Sequence, residues 1–536
     1  MPTLNWIGKE AVVNHHQRVP FHLLRDVPDL ACGEPGDGNL IVEGDNLVGL
    51  KALLPYYAGQ VKCIYIDPPY NTGNEGWAYN DNVNSPVIRE WLGQVVGKEG
   101  ETLDRHDRWL CLMYPRLALL KRFLRADGSI WISMDDSEIG LLRMLMDDVF
   151  GRERFVACNV WQKRYSRENR EAIGDVHEYL LVYAMDPERF KATRNRVPLT
   201  LEQAKIYKNP NEDARGRWRG IPMTAQGYRP NQMYEIVTPA GVTHRPPEGR
   251  CWSMIEPEFK KLLAQGLIYF GKDGKAQPSV IRYLEDIEGF VPWTWWTHEE
   301  VGHTDEARKE IQSLFGTQTA FDTPKPTRLI ERVLQIATSP GDLVLDSFAG
   351  SGTTGHAVLK LNHANPESAP RRFILAEIEP KIAREVTAER VRRAATGFTK
   401  TKGEDAAALG GGFRYCQLGE PLFDEAGKIR ETVSFADLAR HVFFTETGEP
   451  LPRERVSAKS TFLGACRGVG IYLLYNGILG DKTANGGNVL TRSTLAQLPP
   501  FDGAKVIYCA GCLLGRDRLQ AARIVVRQTP YEIKLT

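Results

Sequence analysis

The chain has 536 residues, of which 42% are hydrophobic and 25% are charged, proportions typical of a globular protein and not of a disordered one. Its 68 lysine and arginine residues almost balance its 67 aspartate and glutamate residues, so a polyanionic partner must be held by a local basic surface and not by net charge. Nine irregularly spaced cysteines exclude a disulfide scaffold, no apolar run is long enough for a transmembrane helix, and no signal peptide is evident, so we expect a cytoplasmic protein without a membrane partner or metal site.

Strands and helices alternate in the first part of the chain. After an N-terminal arm (residues 1–38), hydrophobic patterning predicts strands at Asn39–Glu43, Val61–Ile66 and Ser129–Ser133, and helices at Leu47–Tyr57, Trp109–Leu124 and Ile139–Phe150. Because strand, helix and strand follow one another so closely, they form a βαβ unit, which predicts a parallel sheet. We assign residues 39–151 to the first half of an α/β core.

The composition changes between residues 152 and 316, which are rich in Arg, Trp, Tyr and Pro, with short strands such as Tyr179–Tyr183. We interpret residues 152–316 as an inserted domain. The α/β pattern returns in residues 317–396, with strands at Leu343–Ser347 and Phe373–Glu377 and with helices at Pro324–Ala337, Thr354–Leu361 and Lys381–Ala395. Residues 397–412 have the composition of a linker, and residues 413–536 are predicted to form a small α+β C-terminal domain.

The first candidate site is Asp67-Pro68-Pro69-Tyr70, directly after the strand Val61–Ile66. Ligands of open α/β sheets bind beyond the carboxyl ends of strands, and two prolines stiffen the turn and remove two N–H groups. The Asp67 carboxylate and the Pro68 carbonyl then form two fixed acceptors, which suit the two N–H groups of an exocyclic amine, while Tyr70 can stack on a heterocycle. The alternative is an ordinary strand-ending turn with an N-cap aspartate.

The second candidate site is the segment Leu343–Gly355, whose glycines have the spacing G-x-G-x-x-G between a strand and a helix. This spacing alone suggests dinucleotide binding. However, Asp346 at the strand end suits an ammonium group better than a pyrophosphate, and Thr353 and Thr354 suit a zwitterion. Glu377, which ends the next strand, can hold two ribose hydroxyls. These features favour S-adenosylmethionine, with NAD as the alternative.

The two sites together resemble the β-class methyltransferases that modify exocyclic amines of DNA, because the catalytic turn comes first, the inserted domain second and the cofactor loop last. Several stretches are also similar to the modification subunit of type III restriction–modification systems, namely Asn5–Lys9, Tyr65–Gly73, Trp131–Asp136, His177–Tyr179, Phe321–Pro326 and Pro530–Lys534. The resemblance covers most of residues 39–395. It implies a Rossmann-like methyltransferase core with a mostly parallel sheet and a circularly permuted motif order. The tail matches only loosely, so a solitary or phage-defence methyltransferase with the same core is an alternative.

The resemblance also implies a role for each candidate residue. The catalytic residues are Asp67, Pro68, Pro69 and Tyr70: the Asp67 carboxylate and the Pro68 carbonyl accept from the target amine, and Tyr70 stacks on the base. The residues implied in binding S-adenosylmethionine are Asp45, Lys325, Pro326, Asp346, Phe348, Gly350, Gly352, Thr353 and Glu377. Among them, Lys325 and Pro326 are expected beside the cofactor carboxylate, and Asp45 is equally well explained as a helix N-cap.

The inserted region supplies the local basic surface that a double-stranded DNA partner requires, since residues 161–219 contain 13 Lys/Arg and nine Asp/Glu. We predict DNA contacts by Lys163, Arg164, Arg167, Arg217 and Arg219, although each arginine equally fits a solvated face. The predicted activity is methyl transfer to the N6 amine of a flipped-out adenine. The alternatives are N4 of cytosine, a nicotinamide-dependent oxidoreductase, and a non-catalytic DNA-binding subunit. Further expected partners are a second copy in a homodimer and a restriction (helicase–nuclease) subunit.

Overall fold

The computed structural model describes residues 4–33, 38–72, 93, 105–166, 172–199, 204–316, 321–400, 403–451, 460–475 and 487–529. The chain divides into two compact units, the first comprising Met1–Asn195 and Trp293–Thr536 and the second Arg196–Pro292. The predicted DNA contact Arg167 and the stretch Pro530–Lys534 lie outside the described residues.

A ten-stranded sheet forms the centre of the first unit. In chain order its strands are β1 (His22–Asp26), β2 (Leu40–Glu43), β3 (Val61–Ile66), β4 (Leu124–Met134), β5 (Phe155–Gln162), β6 (His177–Ala184), β7 (Trp295–Trp296), β8 (Leu343–Asp346), β9 (Arg372–Glu377) and β10 (Arg414–Pro421). Their spatial order is β1-β10-β2-β9-β8-β3-β4-β6-β5-β7. The run from β10 to β4 is entirely parallel, and antiparallel pairs join β1 to β10, β4 to β6 and β6 to β5. The predicted mostly parallel α/β core is confirmed.

Helices alternate with the parallel strands, as the βαβ pattern requires. The helices of the first unit are Lys9–Val12, His15–Arg18, Asn46–Tyr57, Arg105–Phe123, Ile139–Phe150, Pro187–Thr193, His298–Val301, Thr304–Phe315, Thr327–Ala337, Thr353–His363, Pro380–Ile382, Glu389–Thr396, Phe435–Thr447, Arg492–Gln497 and Arg516–Ala521, with a π-helical turn at Ala383–Ala388. Every residue of β2, β3 and β8 is buried. Strands that are buried along their whole length are typical of a parallel sheet covered on both faces.

Five strands of the central sheet lie in segments that the sequence assigned elsewhere. Strand β1 falls within the predicted N-terminal arm of residues 1–38, strands β5, β6 and β7 fall within the predicted insertion of residues 152–316, and β10 falls within the predicted C-terminal domain of residues 413–536. The second compact unit is therefore narrower than the predicted insertion. Residues 397–412, expected to be a linker, contain a small pair of strands, Phe398–Thr399 and Asp405–Ala406. Pairing with a distant strand leaves no periodic signal in the sequence, which explains these differences.

The second unit contains short strands and the helix Glu256–Ala264 within its described residues. Its three-stranded antiparallel sheet has the order Ile268–Tyr269, Ser279–Tyr283, Trp218–Pro222. Two further strand pairs, Thr224–Gln226 with Arg250–Trp252 and Ile236–Val237 with Thr243–His244, accompany this sheet, together with the helix Glu256–Ala264. A buried cluster around Trp252 and Phe259 gives this unit a core of its own.

The end of the chain forms a four-stranded sheet of Phe462–Cys466, Val469–Leu473, Ala504–Cys509 and Ile524–Gln528, beside a two-stranded pair of Val489–Leu490 and Gly511–Cys512. Across the described residues, no helix has the length and hydropathy needed to cross a bilayer. The same residues contain no group of three or more His, Cys, Asp or Glu side chains arranged to hold a metal ion.

Candidate active site

The two motifs singled out in the sequence lie at the ends of neighbouring strands. Strand β8 pairs in parallel with β3, so the turn that follows β3 and the glycine loop that follows β8 leave the same edge of the sheet. One cavity is lined by residues of both, namely Asp67, Pro68 and Tyr70 from the turn, and Asp346, Phe348, Ala349, Gly350, Ser351, Thr353 and Thr354 from the loop and the helix it opens. The topology therefore joins both candidate sites into one, at the edge where open α/β sheets bind ligands.

The turn after β3 is held by contacts from two helices. The indole Nε1 of the fully buried Trp109 donates to the Pro69 carbonyl at 2.7 Å. Asn71, at a left-handed φ of 57°, donates to Glu138 Oε1 at 2.5 Å and to the Arg105 carbonyl at 3.2 Å. Asparagine tolerates this backbone conformation better than most residues do. The position of the turn is thus fixed from both sides, in addition to the stiffness of its prolines.

The carboxylate of Asp67 has one paired and one unpaired oxygen. Lys325 Nζ donates to Oδ2 at 2.8 Å, whereas Oδ1 is buried without a hydrogen-bond partner among the described residues. Burial raises the pKa of Asp67 above its ordinary value, and Lys325 opposes part of that rise. A buried acceptor without a donor is costly unless a ligand supplies one. A substrate amine that reached Oδ1 would supply the missing donor.

Tyr70 and Lys325 share a second acidic partner, Glu178 at the start of β6. The Tyr70 hydroxyl donates to Glu178 Oε2 at 3.0 Å, and this hydroxyl also favours the charged form of Asp67. Lys325 Nζ lies 3.6 Å from the same Glu178 oxygen and 4.9 Å from the centre of the Tyr70 ring. Burial raises the pKa of Tyr70 well above its ordinary value, so its hydroxyl stays a donor at neutral pH.

The glycine loop after β8 needs glycine at two points. Gly350 has a φ of 49° and Gly352 a φ of 74°, both left-handed, and a Cβ at Gly352 would lie 2.9 Å from the Thr387 carbonyl oxygen. Asp346 closes the loop: its Oδ1 accepts from the Phe348 N–H at 3.0 Å and its Oδ2 from the Thr354 hydroxyl at 2.6 Å. Burial raises the pKa of Asp346 to about 7, so a cationic ligand in the cavity would favour its ionised form.

The predicted cofactor residues divide into two groups. Lys325, Asp346, Phe348, Gly350 and Thr353 line the cavity, whereas Asp45, Pro326, Gly352 and Glu377 are not among its lining residues. The side chain of Lys325 points to the catalytic turn, where it contacts Asp67.

Two acidic residues outside the cavity are engaged with the backbone. Asp45 Oδ1 accepts from the N–H groups of Leu47 and Val48, which is the N-cap that the sequence offered as the alternative. The carboxylate of Glu377 accepts from the Gly350 N–H at 2.7 Å and from the Glu379 N–H at 3.1 Å, and burial raises its pKa to about 7. Its role at a ribose remains a prediction.

The predicted DNA contacts also lie in different surroundings. Lys163 and Arg164 line the cavity, but the Lys163 ammonium is nearly buried and lies 2.8 Å from Asp175 Oδ2 and 3.5 Å from Glu178 Oε1. Arg217 and Arg219 are exposed in the second unit, on either side of the buried Trp218. Lys163 is thus placed to support the cavity, while the three arginines remain predicted phosphate contacts, together with Arg167.

Sequence reasoning missed several residues of the cavity wall. Besides Glu178, the wall includes Tyr65, Thr72, Asp135, Trp161, Thr304, Arg308 and Phe321. Glu178 belongs to His177–Tyr179, one of the stretches that carry the resemblance, but nothing in its spacing marked it as a site residue. Its position becomes clear only from the antiparallel pairing of β6 with β4, which brings the start of β6 beside the end of β4.

Three curated proteins are similar to this chain over much of its length. The EcoPI Mod subunit of a type III restriction-modification enzyme from Escherichia phage P1 is 30% identical over 510 residues, which cover 83% of this chain and 74% of that protein. The StyLTI Mod subunit from Salmonella typhimurium is 36% identical over 370 residues, covering 66% and 54%, and the EcoP15I Mod subunit from Escherichia coli is 29% identical over 429 residues, covering 70% and 64%. The chain therefore spans between about half and three quarters of the length of these relatives. A family model described as DNA methylase matches residues 61–389, and the chain belongs to this family.

Proposed function

We propose that this protein is a site-specific DNA methyltransferase that uses S-adenosylmethionine to methylate the N6 amine of adenine. The single observation that carries the proposal is Asp67, whose buried Oδ1 has no hydrogen-bond partner among the described residues and whose side chain lines the same cavity as the glycine loop after β8. A rigid anionic acceptor beside a loop suited to a cationic ligand is what transfer of a methyl group to an exocyclic amine requires.

The residues present fit the cofactor. Asp346, Phe348, Gly350 and Thr353 would hold it, because they line the cavity on the side of the glycine loop. S-adenosylmethionine, when bound, supplies the electrophilic methyl group. The carboxylate of Asp346 suits the positive charges of that cofactor, since a cation stabilises the ionised form that burial disfavours.

The chain's own residues act on the amine. The lone pair of an adenine amine is delocalised into the ring, so the amine is a poor nucleophile. Hydrogen bonds from the amine to Asp67 Oδ1 and to the Pro68 carbonyl would draw it towards tetrahedral geometry, and Tyr70 would hold the base by stacking. A base in a duplex reaches such a pocket only when it is flipped out, which costs a few kcal/mol.

The proposed setting is restriction–modification or phage defence in the cytoplasm. The similar proteins are named as Mod subunits of type III restriction-modification enzymes. By that similarity we extend to this chain a double-stranded DNA substrate, a restriction (helicase–nuclease) subunit as partner, and a homodimer. The second compact unit, with its exposed Arg217 and Arg219, is the proposed target-recognition domain.

The test is methyl transfer from labelled S-adenosylmethionine to genomic DNA, followed by mass spectrometry of the nucleosides. We expect N6-methyladenine as the product and a loss of about 10²- to 10³-fold in rate for Asp67→Asn, which keeps the size of the side chain but removes its charge. N4-methylcytosine would overturn the choice of base. Binding of NAD with no methylated nucleoside would overturn the whole assignment.

A further inference from the structure

Two ammonium groups and three carboxylates form one charged cluster on the wall of the cavity. Lys325 Nζ lies 2.8 Å from Asp67 Oδ2 and 3.6 Å from Glu178 Oε2. Glu178 also pairs with Lys163 at 3.5 Å, which in turn pairs with Asp175 at 2.8 Å. The side chains of Lys325, Lys163 and Glu178 are only 10–12% exposed, so their interactions are poorly screened by solvent.

Lys325 connects the two halves of the site. Its backbone carbonyl accepts from the Thr353 hydroxyl at 3.4 Å, at the start of the helix that follows the glycine loop. Its side chain extends to the catalytic turn, 258 residues away in sequence. The sequence placed Lys325 beside the cofactor carboxylate, but in the structure its ammonium contacts Asp67.

We propose that Lys325 is a positioning residue for methyl transfer, whose ammonium holds Asp67 Oδ2 so that Oδ1 faces the target amine, with Glu178 holding Lys325 in place. The inference rests on the proposed function. An ammonium on one oxygen fixes the rotation of the carboxylate and stabilises its negative charge. It leaves the second oxygen to accept from the amine. Glu178 also accepts from Tyr70, so a single acid orients both the stacking ring and the lysine.

The charged groups around Asp67 allow a test that depends on the direction in which the pKa of Asp67 moves. The titratable groups that interact with Asp67 are Tyr65, Tyr70, Glu178, Lys325 and Asp346. The cavity wall also carries Asp135, Lys163, Arg164 and Arg308. Among the partners of Asp67, Lys325 lowers its pKa and Glu178 raises it. Removing each charge in turn must therefore move the ionisation of Asp67 in opposite directions.

The experiment compares the pH profiles of kcat for the full chain and its variants, with DNA and cofactor saturating. Methyl transfer needs ionised Asp67, so it is lost as pH falls. We expect Lys325→Met to lower kcat about 10²-fold at pH 7. We also expect it to shift the acid limb of the pH profile, the range in which kcat falls as Asp67 is protonated, to higher pH. Glu178→Gln keeps an acceptor for Tyr70 and should shift the acid limb to lower pH. Lys325→Arg keeps the charge and should restore the acid limb.

Lys163→Met is the matched control. It removes an ammonium from the same cluster, but one that pairs with Glu178 and Asp175 and not with Asp67. We expect its acid limb not to move to higher pH. Because Asp346 also titrates near neutral pH, the informative quantity is the difference between variants and not the position of the limb in any one protein.

Three outcomes decide the matter. Opposite shifts for Lys325→Met and Glu178→Gln support the inference. A raised KM for S-adenosylmethionine in Lys325→Met, with kcat and its pH profile unchanged, would overturn it and return Lys325 to the cofactor. If the unmodified chain methylates no base at all, the proposed function itself fails, and this result is distinct because it does not depend on any variant. Cofactor binding by calorimetry and a thermal melt verify that each variant is folded.

Discussion

Replacing Trp109 by Phe removes one hydrogen bond from the catalytic turn while keeping an aromatic ring in the core. The Trp109 indole donates to the Pro69 carbonyl at 2.7 Å from a fully buried position. Without this donor the carbonyl loses its partner, at a cost of about 1–3 kcal/mol, and the smaller ring leaves a cavity that costs about 1 kcal/mol more. We therefore expect the free energy of unfolding to fall by about 2–4 kcal/mol.

The same substitution should also slow catalysis. The Pro69 carbonyl lies within the turn that carries Asp67 and Pro68, and a shift of about 1 Å at a reacting group can cost 10²-fold in rate. We expect kcat for DNA methylation to fall by about that factor while the KM for S-adenosylmethionine changes little. The assays are urea unfolding followed by fluorescence and initial rates at saturating substrates.

Trp131→Phe is the matched control for this prediction. Trp131 is a buried tryptophan on β4, and its indole donates to Ser129 Oγ at 3.0 Å and not to the turn. It should lose stability by a comparable amount while keeping kcat. If Trp109→Phe is destabilised to the same extent and yet keeps the full kcat, the prolines and the Asn71 contacts fix the turn without the indole. That result would refute the argument that the indole positions the catalytic carboxylate.

Three further predictions concern the loop, the turn and the pH dependence of stability. Gly352→Ala places a Cβ 2.9 Å from the Thr387 carbonyl oxygen at a φ of 74°, and should lower the unfolding free energy by about 2 kcal/mol and weaken cofactor binding measured by calorimetry. Asn71→Ala loses the bond to Glu138 and should cost about 1–3 kcal/mol in urea unfolding, whereas Asn71→Gly, which suits the left-handed backbone, should cost less. Because burial raises the pKa of Asp346 to about 7, the folded state holds a proton that the unfolded state has lost. The Asp346 carboxyl should therefore lower stability by about 3 kcal/mol from pH 5 to pH 8. Because burial also raises the pKa of Glu377 to about 7, that carboxyl adds a fall of its own, and paired denaturation curves of Asp346→Asn should show a fall that is smaller by the Asp346 share.

The parts of the fold that sequence could predict are those with a strong local signal. The helix Ile139–Phe150 begins and ends at the predicted residues, and so does the strand Val61–Ile66. Both elements end where the sequence pattern changes abruptly. The continuous buried run of the strand stops at Asp67, and the helical spacing of Ile139–Phe150 stops before Gly151. Since ligands of parallel sheets bind beyond strand ends, locating two such ends also located the cavity.

The parts that sequence could not predict depend on strand pairing between distant segments. Strands β5 and β6 are antiparallel, partly exposed and close to basic loops, so their composition resembles that of a separate domain. Their place in the central sheet depends on the register between β6 and β4, and β10 likewise joins the sheet beside β2. Such pairings are set by packing against neighbouring strands and not by intrinsic preference. The predicted domain boundaries at residues 152 and 413 were placed at changes of composition, whereas strands beyond these boundaries belong to the central sheet.

The charged side chains were the hardest residues to place, because one carboxylate or ammonium can serve several purposes. Asp45 and Glu377 were expected at the cofactor, but each accepts hydrogen bonds from nearby backbone N–H groups. Lys325 reaches the catalytic turn because the segment before the helix Thr327–Ala337 lines the same cavity as the turn after β3 and the loop after β8, a geometry with no counterpart in sequence spacing. The residue types thus identified which groups can take part in catalysis, but only the topology determined which of these groups lie in contact. For this reason the opposite pH shifts expected for Lys325→Met and Glu178→Gln test the arrangement of the sheet as directly as they test the mechanism.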